Sequence, residues 1–195
     1  GGAKQRALLA LLLLHRNDQV AFMAGSYVFP GGRVDPADHP APQSVLPAAT
    51  FADLTALEEA AYRQAAVREV MEEANVTIAP ADLAPLAHWV TPEIEVRRYD
   101  TRFFLARLPP GQEPRHDAGE MTALAWMSPA VAVAKFERRE LLLPPPTWTT
   151  IRQLEKLRSI DEVFAWARHR KVVRVMPAFV KTADLTMLTL PGDPL

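Results

Sequence analysis

The most informative segment of this chain is Arg68-Glu69-Val70-Met71-Glu72-Glu73-Ala74-Asn75-Val76. On a helix, which turns by about 100° per residue, Glu72 and Glu73 fall within about 60° of Glu69. Three carboxylates therefore share one stripe of the helix. The apolar residues fall on the opposite side, which we predict to face the core: Val67, Val70, Met71 and Ala74.

Three carboxylates on one stripe repel one another, at a cost of about a few tenths of a kcal/mol for each exposed pair. A cation that neutralises them removes this cost, and oxygen-only ligands are the ones that Mg²⁺ and Mn²⁺ prefer. The alternative is an acidic helix face that only meets solvent. The segment therefore predicts either a divalent-metal site or a solvated helix surface.

Upstream of this segment, the chain mixes helical and strand patterns. The period of the apolar residues predicts a helix from Glu58 to Ala74. Ala7–Leu14 is an apolar run, which we predict to be a buried strand rather than the remnant of a signal. It is far short of the roughly 20 residues that span a bilayer. Short strand pieces are predicted at Gln19–Met23 and Ser26–Phe29.

The downstream half also mixes strands and helices. We predict strands at His88–Val90, Arg98–Ala106, Ala123–Met127, Val172–Val180 and Leu185–Leu190. A helix begins after Ser128, because serine is a favoured N-cap and Pro129 suits the first helical position. After a break at Pro144–Pro146, two further helices are predicted at Thr147–Leu157 and Ile160–His169.

Composition agrees with one folded domain. The chain has 195 residues, of which 49% are hydrophobic and 23% charged, with a formal net charge of −1. It is long enough to bury a core and too apolar to be disordered, and no basic excess points to a nucleic-acid partner. The absence of cysteine excludes disulfide frameworks and thiolate metal sites. We therefore predict a single α+β domain over residues 1–195, with a helical extension over 144–170.

Residues 32–76 resemble the Nudix box of the Nudix hydrolases, whose pattern is G-x5-E-x7-R-E-U-x-E-E-x-G-U, with U a bulky aliphatic residue. Gly32 matches the first glycine, and Arg68-Glu69 matches the R-E pair. Glu72-Glu73 matches the E-E pair, between the aliphatic residues Val70 and Val76. The resemblance implies an α/β/α sandwich with a mixed β-sheet between helices. It also implies hydrolysis of a nucleoside diphosphate linked to another group.

The same resemblance implies where a metal would bind. Glu69, Glu72 and Glu73 would hold Mg²⁺ or Mn²⁺, Arg68 would orient these carboxylates, and the backbone of Gly32 would come close enough to act as a further ligand. Relatives commonly carry another carboxylate, as a metal ligand or general base, where this chain has Glu120, with Asp117 as a weaker candidate. The alternative for Glu120 is a solvated acid in a loop.

Substrate phosphates would be bound by Gly31, Arg98 and Arg102. The alternation of side chains along a strand places Arg98 and Arg102 on one face, where two guanidinium groups could pair with phosphate oxygens. The alternative is that both are ordinary surface arginines.

Three departures from the box pattern matter. Gly32 and Arg68 lie 36 positions apart, against 14 in the pattern, so 22 residues are inserted. The position eight before Arg68 is Ala60 rather than glutamate, and Glu58 or Glu59 could replace it if the helix start shifts. The final glycine is Asn75, which we expect to end the helix in the left-handed conformation that asparagine tolerates.

The insertion, which we place at residues 34–56, is typical of the Nudix branch that contains the peroxisomal coenzyme A diphosphatases and their bacterial relatives. Residues 22–35, 89–104 and 142–148 resemble that branch as well. The motif that marks coenzyme A-cleaving members is met in part. Gly25-x3-Phe29-Pro30-Gly31-Gly32 matches it, but its arginine is replaced by Ala21.

The resemblance thus predicts a metal-dependent pyrophosphohydrolase acting on coenzyme A or acyl-coenzyme A. The alternatives are a Nudix enzyme for ADP-ribose, NADH or dinucleoside polyphosphates, and a non-catalytic module that binds a nucleotide metabolite. We expect a small-molecule nucleotide as partner, neither nucleic acid nor membrane, and a cytoplasmic location. Trp148 and Trp166 predict packing of the C-terminal helices or a homodimer interface.

Overall fold

The computed structural model describes residues 9–18, 24–41, 49–116, 121–181 and 186–193. Within these ranges the chain forms, in order, β1 (Leu11–Arg16), β2 (Tyr27–Val28), α1 (Ala56–Ala74), β3 (Ala84–Val90), β4 (Asp100–Leu105), β5 (Met121–Met127), α2 (Pro129–Glu137), α3 (Pro145–Leu154), α4 (Ile160–His169), β6 (Arg174–Val175), β7 (Ala178–Lys181) and β8 (Thr186–Thr189). Short 3₁₀ turns lie at Pro36–Asp38 and Pro80–Asp82. Helices and mixed strand pairings together confirm the α+β class.

Both ends of α1 are defined by their caps. The Thr55 side chain accepts a hydrogen bond from the backbone N–H of Glu58, and the Glu58 carboxylate accepts one from that of Thr55, which forms a capping box. At the other end, Asn75 has φ 53° and ψ 41°, and its N–H donates to the carbonyl of Met71. The predicted left-handed end at Asn75 is confirmed, and the helix begins at Ala56, slightly before the predicted Glu58.

The strands form two three-stranded sheets and a separate hairpin. In the first sheet, β1 pairs antiparallel with β2 on one side and with β5 on the other. In the second, β3 pairs antiparallel with β4 and parallel with β6, so this sheet is mixed. β7 and β8 pair only with each other among the described strands. The sequence predicted one mixed sheet, whereas the structure divides these strands between two sheets, of which one is mixed.

Several predicted elements are confirmed close to their expected bounds. α4 has the predicted limits, and α2 begins at Pro129 after Ser128, whose Oγ accepts the N–H of Val131. The strand predicted to begin at Arg98 instead begins at Asp100, so Arg98 lies in the β3–β4 connection. The strand piece predicted at 19–23, like the first two residues of the run 7–14, lies outside the described residues.

The core is formed by apolar side chains of β1, β3 and the helices α2 to α4. Leu13, Ile151 and Leu154 are completely buried. Trp148 stacks on Phe136 with ring centroids 4.2 Å apart, which supports packing as the role of this tryptophan. None of the helices in the described ranges is long and apolar enough to cross a membrane.

The predicted core face of α1 is wrong at Met71, and of the two interpretations of the acidic stripe, the solvated surface does not fit Glu73. Met71 is 46% exposed, whereas Glu73 is only 9% exposed. Glu73 is buried because the backbone N–H of Gly31, 42 residues away in the sequence, donates a hydrogen bond to its carboxylate at 2.8 Å. Part of the acidic stripe therefore faces the loop that follows β2.

Candidate active site

The loop that follows β2 lies against the C-terminal half of α1. The N–H of Gly31 donates to Oε2 of Glu73 at 2.8 Å. The next residue, Gly32, lies so close to Glu69 that a methyl group on its Cα would overlap the Glu69 carboxylate. The structure thus brings together the predicted site residues Gly31, Gly32, Glu69 and Glu73, which belong to two separate parts of the sequence.

Arg68 joins the acids of α1 to one another and to the loop. Its Nη1 donates to Oε1 of Glu69 at 2.8 Å and to Oε2 of Glu72 at 3.0 Å. Its Nη2 donates to the carbonyl of Arg33 at 2.9 Å. One guanidinium therefore fixes two of the three predicted metal ligands and the backbone next to Gly32.

A fourth carboxylate, that of Asp38, also binds Arg68, and the sequence patterns did not identify it. We call Asp38, Glu69, Glu72 and Glu73 the acid cluster. Asp38 is 2% exposed. It accepts hydrogen bonds from Nε of Arg68 at 3.1 Å and from Nη2 at 3.0 Å, and the N–H of Asp35 donates to it at 2.8 Å. The hydrogen bonds from Arg68 hold the pKa of Asp38 below its usual range, and Asp38 in turn raises the pKa of Arg68. The pair is therefore fully ionised at neutral pH.

The signal that could have identified Asp38 is its spacing from Gly32. Asp38 lies six residues after Gly32, as the first glutamate of the box pattern lies six after its glycine. The same pattern counted backward from Arg68 indicates Ala60 and its neighbours instead, because the inserted residues lie between Asp38 and Arg68. This assignment places the 22 inserted residues after Asp38, later than the predicted start at residue 34.

The two glutamates considered as substitutes have other partners. Glu58 caps α1 through Thr55. Glu59 is buried and forms an ion pair with Arg63 at 2.7 Å, and it also accepts the N–H of Phe51 at 2.9 Å. Glu59 therefore fastens the end of the insertion to the first turns of α1, and neither glutamate takes the role of Asp38 beside Arg68.

Negative charge exceeds positive charge around Arg68, because its one guanidinium lies within 3.8 Å of four carboxylates: those of Asp35, Asp38, Glu69 and Glu72. Burial raises the pKa of Glu69, since Arg68 compensates it only in part. Within the described ranges, no three Asp, Glu or His side chains converge on a common point. Mg²⁺ often uses only one or two carboxylates and keeps its other positions for water and substrate phosphates. This all-oxygen set, with Gly32 against Glu69, therefore fits such an ion.

The expectation that Arg98 and Arg102 share a strand face is wrong. Arg98 lies before β4, where its Nε donates to the carbonyl of Thr91 at 3.3 Å. The Arg102 side chain is 2% exposed and pairs with Asp53 at 2.7 Å and with Asp100 at 3.1 Å. Arg102 thus connects the insertion to β4, and this geometry speaks against a phosphate contact. A substrate contact by the exposed Arg98 stays a prediction.

Glu120 and Asp117, predicted as a further metal ligand or base, lie outside the described residues. Gln112 in the preceding loop is bound to the end of α1, because its side chain exchanges hydrogen bonds with both backbone groups of Thr77. The N–H of Arg115 also donates to the carbonyl of Ala74 at 2.9 Å. The loop that leads towards Glu120 is therefore held beside the helix that carries Glu69, Glu72 and Glu73.

Replacing Asp38 by asparagine is expected to lower kcat by about 10- to 100-fold and to leave KM nearly unchanged. The asparagine amide nitrogen would face a guanidinium, so the bidentate pair would be lost and Arg68 would no longer hold Glu69 and Glu72 in place. KM should change little, because Asp38 is buried and bound to Arg68, so it is not expected to contact the substrate. Steady-state kinetics at saturating metal would measure both constants.

Asp35→Asn is the matched control for this variant. The Asp35 carboxylate is 55% exposed and lies 3.8 Å from Arg68, so asparagine takes away the same charge from a more distant contact. Asparagine also keeps an oxygen that can accept the backbone N–H of Asp38, as the Asp35 side chain does in its capping box. Exposed pairs contribute little, so we expect less than about a twofold change in kcat. Equal losses in the two variants would show that net charge, and not the Asp38–Arg68 pair, determines the effect.

Comparison with known proteins places this site in a family context. A family model described as the NUDIX domain matches residues 2–145. Acyl-coenzyme A diphosphatase NUDT19 from Homo sapiens is 28% identical, over 95% of this chain and 72% of that protein. The protein of the same name from Gallus gallus is 26% identical over the same shares.

A solved structure shows the same fold. The crystal structure of a NUDIX hydrolase from Alicyclobacillus acidocaldarius matches this chain with a TM-score of 0.70 at 22% identity, covering 84% of this chain and 90% of that one. This likeness confirms the predicted fold, and at this level of identity it extends to the fold alone.

Proposed function

The chain belongs to the Nudix hydrolase family, and on this premise we propose that it hydrolyses the diphosphate linkage of coenzyme A or of an acyl-coenzyme A. The observation that supports diphosphate chemistry is the acid cluster, with the Gly31-Gly32 loop against Glu69 and Glu73. The choice of coenzyme A derivatives is supported by the two relatives named acyl-coenzyme A diphosphatase, which align with 95% of this chain.

Nudix hydrolases generally need divalent metal ions, and for this chain we propose Mg²⁺ or Mn²⁺. Glu69, Glu72 and Glu73 would supply the ligands, with one or two of these carboxylates on each ion, together with the backbone of Gly32. When bound, such an ion neutralises phosphate charge and makes water a better nucleophile. The donor set supports this choice, because it contains oxygen atoms only.

The chain's own residues would keep the carboxylates in position. Arg68 holds Glu69 and Glu72, and the N–H of Gly31 holds Glu73. Groups fixed before the reaction need not reorganise when charge develops, which is the main source of electrostatic catalysis. Glu120 is our candidate for the general base or a further ligand. Gly31 and Arg98 remain our candidates for contacts to the substrate.

The proposed reaction adds one water molecule across the diphosphate. The water oxygen bonds to one phosphorus atom and the bond between that phosphorus and the bridging oxygen breaks. From coenzyme A, the products would be 4′-phosphopantetheine and adenosine 3′,5′-bisphosphate. An acyl-coenzyme A would give the acylated phosphopantetheine instead.

A substrate panel tests this proposal. The purified protein would be incubated with Mg²⁺ or Mn²⁺ and with coenzyme A, an acyl-coenzyme A, ADP-ribose, NADH or a dinucleoside polyphosphate, in ¹⁸O-labelled water. We expect the highest kcat/KM for a coenzyme A derivative. Mass spectrometry would identify the two products and the phosphate that carries the label, and chelation of the metal should abolish turnover.

Two results would contradict the proposal in different ways. Turnover of ADP-ribose, NADH or a dinucleoside polyphosphate without turnover of coenzyme A derivatives would support diphosphate hydrolysis. It would refute coenzyme A derivatives as the substrates. Binding of a nucleotide without any product would favour a non-catalytic module. The cytoplasmic location and the homodimer also stay predictions, which fractionation and light scattering would test.

A further inference from the structure

The backbone of Arg33 lies directly beside the acid cluster. It directly follows Gly32, whose Cα lies against the Glu69 carboxylate. Its own carbonyl accepts a hydrogen bond from Nη2 of Arg68 at 2.9 Å. The backbone of Arg33 is therefore fixed by the residue that holds Glu69 and Glu72, so its side chain begins at the edge of the site.

Unlike the guanidinium groups of Arg63, Arg68 and Arg102, that of Arg33 has no partner within the described ranges. Arg115, whose backbone N–H donates to Ala74, shares this property, but only Arg33 directly follows Gly32. Arg68 is bound to Asp38, Glu69 and Glu72. Arg63 is buried against Glu59, and Arg102 against Asp53 and Asp100. Arg33 is exposed, and among the described residues only its carbonyl takes part in a hydrogen bond. The guanidinium groups of Arg63, Arg68 and Arg102 are committed to holding the fold, whereas that of Arg33 is available to a ligand.

We propose that the guanidinium of Arg33 binds the diphosphate group of the substrate. This inference rests on the proposed function, since it assigns a binding residue to that same site. A diphosphate that enters a cluster of carboxylates meets like charge, which a single divalent ion offsets only in part. A guanidinium can bind two phosphate oxygens at once in a fixed planar geometry, which a lysine ammonium cannot do.

The alternative is that Arg33 is an ordinary solvated arginine, and this predicts no effect on phosphate binding. A second alternative is that Arg33 acts indirectly, by holding Arg68 in place, and the substitutions also distinguish this role from direct phosphate binding. The contact to Arg68 uses the backbone carbonyl, which every substitution at this position keeps. Loss of the side chain should therefore leave the acid cluster and its need for metal unchanged.

The test compares Arg33→Gln and Arg33→Lys with Arg158→Gln, which removes the same charge from an exposed position between α3 and α4. We expect Arg33→Gln to lower kcat/KM for the best coenzyme A substrate by about 10- to 100-fold, the effect of one hydrogen bond to a charged group. Arg33→Lys should recover part of this loss, because it keeps the charge but not the planar fork. Arg158→Gln should stay within about twofold of the native protein.

A second measurement does not depend on turnover. Calorimetric titration with inorganic diphosphate at constant free Mg²⁺ should show weaker binding to Arg33→Gln by a similar factor, with an unchanged metal concentration for half-maximal activity. Equal diphosphate affinity in Arg33→Gln and Arg158→Gln would overturn the inference. A shift in the metal requirement with unchanged diphosphate affinity would overturn it as well. If the native protein cleaves no coenzyme A derivative, the proposed function fails while the titration still decides the role of Arg33.

Discussion

Glu73→Gln is expected to lower kcat/KM by at least about 100-fold, while the melting temperature changes by only a few degrees. Loss of a residue that supports a metal ligand typically costs about 10- to 100-fold, so loss of a ligand should cost at least the upper value. Glutamine has nearly the same shape, and its amide oxygen can still accept the N–H of Gly31 that now donates to Glu73 at 2.8 Å. The substitution therefore removes the charge and keeps the packing of this buried side chain. Kinetics at several metal concentrations and thermal unfolding would measure both effects.

The control for this variant is Glu137→Gln, which neutralises an exposed glutamate of α2. It changes the net charge of the chain by the same amount, and we expect kinetics within about twofold of the native values. Activity of Glu73→Gln close to that of the control would remove Glu73 from the metal site. A large fall in the melting temperature would show instead that burial of Glu73 serves the fold, and the metal role would then rest on Glu69 and Glu72.

The parts of this site that sequence could predict are those that depend on neighbouring residues. The i, i+3 and i, i+4 spacing of Glu69, Glu72 and Glu73 follows from helix geometry alone. Asn75 could be placed at the helix end because asparagine tolerates the left-handed conformation, in which the structure shows it. No distant contact is needed for either inference.

The parts that sequence missed depend on contacts between distant residues. Asp38 and Arg68 are 30 residues apart, and the inserted residues between them conceal the normal spacing of the box. The helical period places Glu73 on the side of α1 opposite the core, but it does not show that Glu73 is buried, because its hydrogen-bond donor, the N–H of Gly31, lies 42 residues away. Strand alternation likewise predicted an accessible Arg102, whereas Asp53 from the insertion pairs with it across 49 positions. Periodicity describes one element at a time, so a partner supplied by another element is invisible to it.

Gly32→Ala is expected to reduce activity by about 100-fold or more with little loss of stability. A Cβ at this position would overlap the Glu69 carboxylate, the flexible end of a long side chain. The side chain of Glu69 can move away at small cost to the fold, but it then leaves Nη1 of Arg68, which it meets at 2.8 Å. The methyl group should therefore act on the position of one metal ligand, and kcat/KM and thermal unfolding would separate the two effects.

A double-mutant cycle identifies the route of this effect. If the methyl group acts only by displacing Glu69, then Gly32→Ala should add almost nothing in a chain that already carries Glu69→Gln. The losses in kcat/KM should thus be strongly non-additive, and the double variant should resemble Glu69→Gln alone. Additive losses would show that Gly32 acts through its own backbone, for example as a ligand or at the substrate, independently of the neighbouring carboxylate.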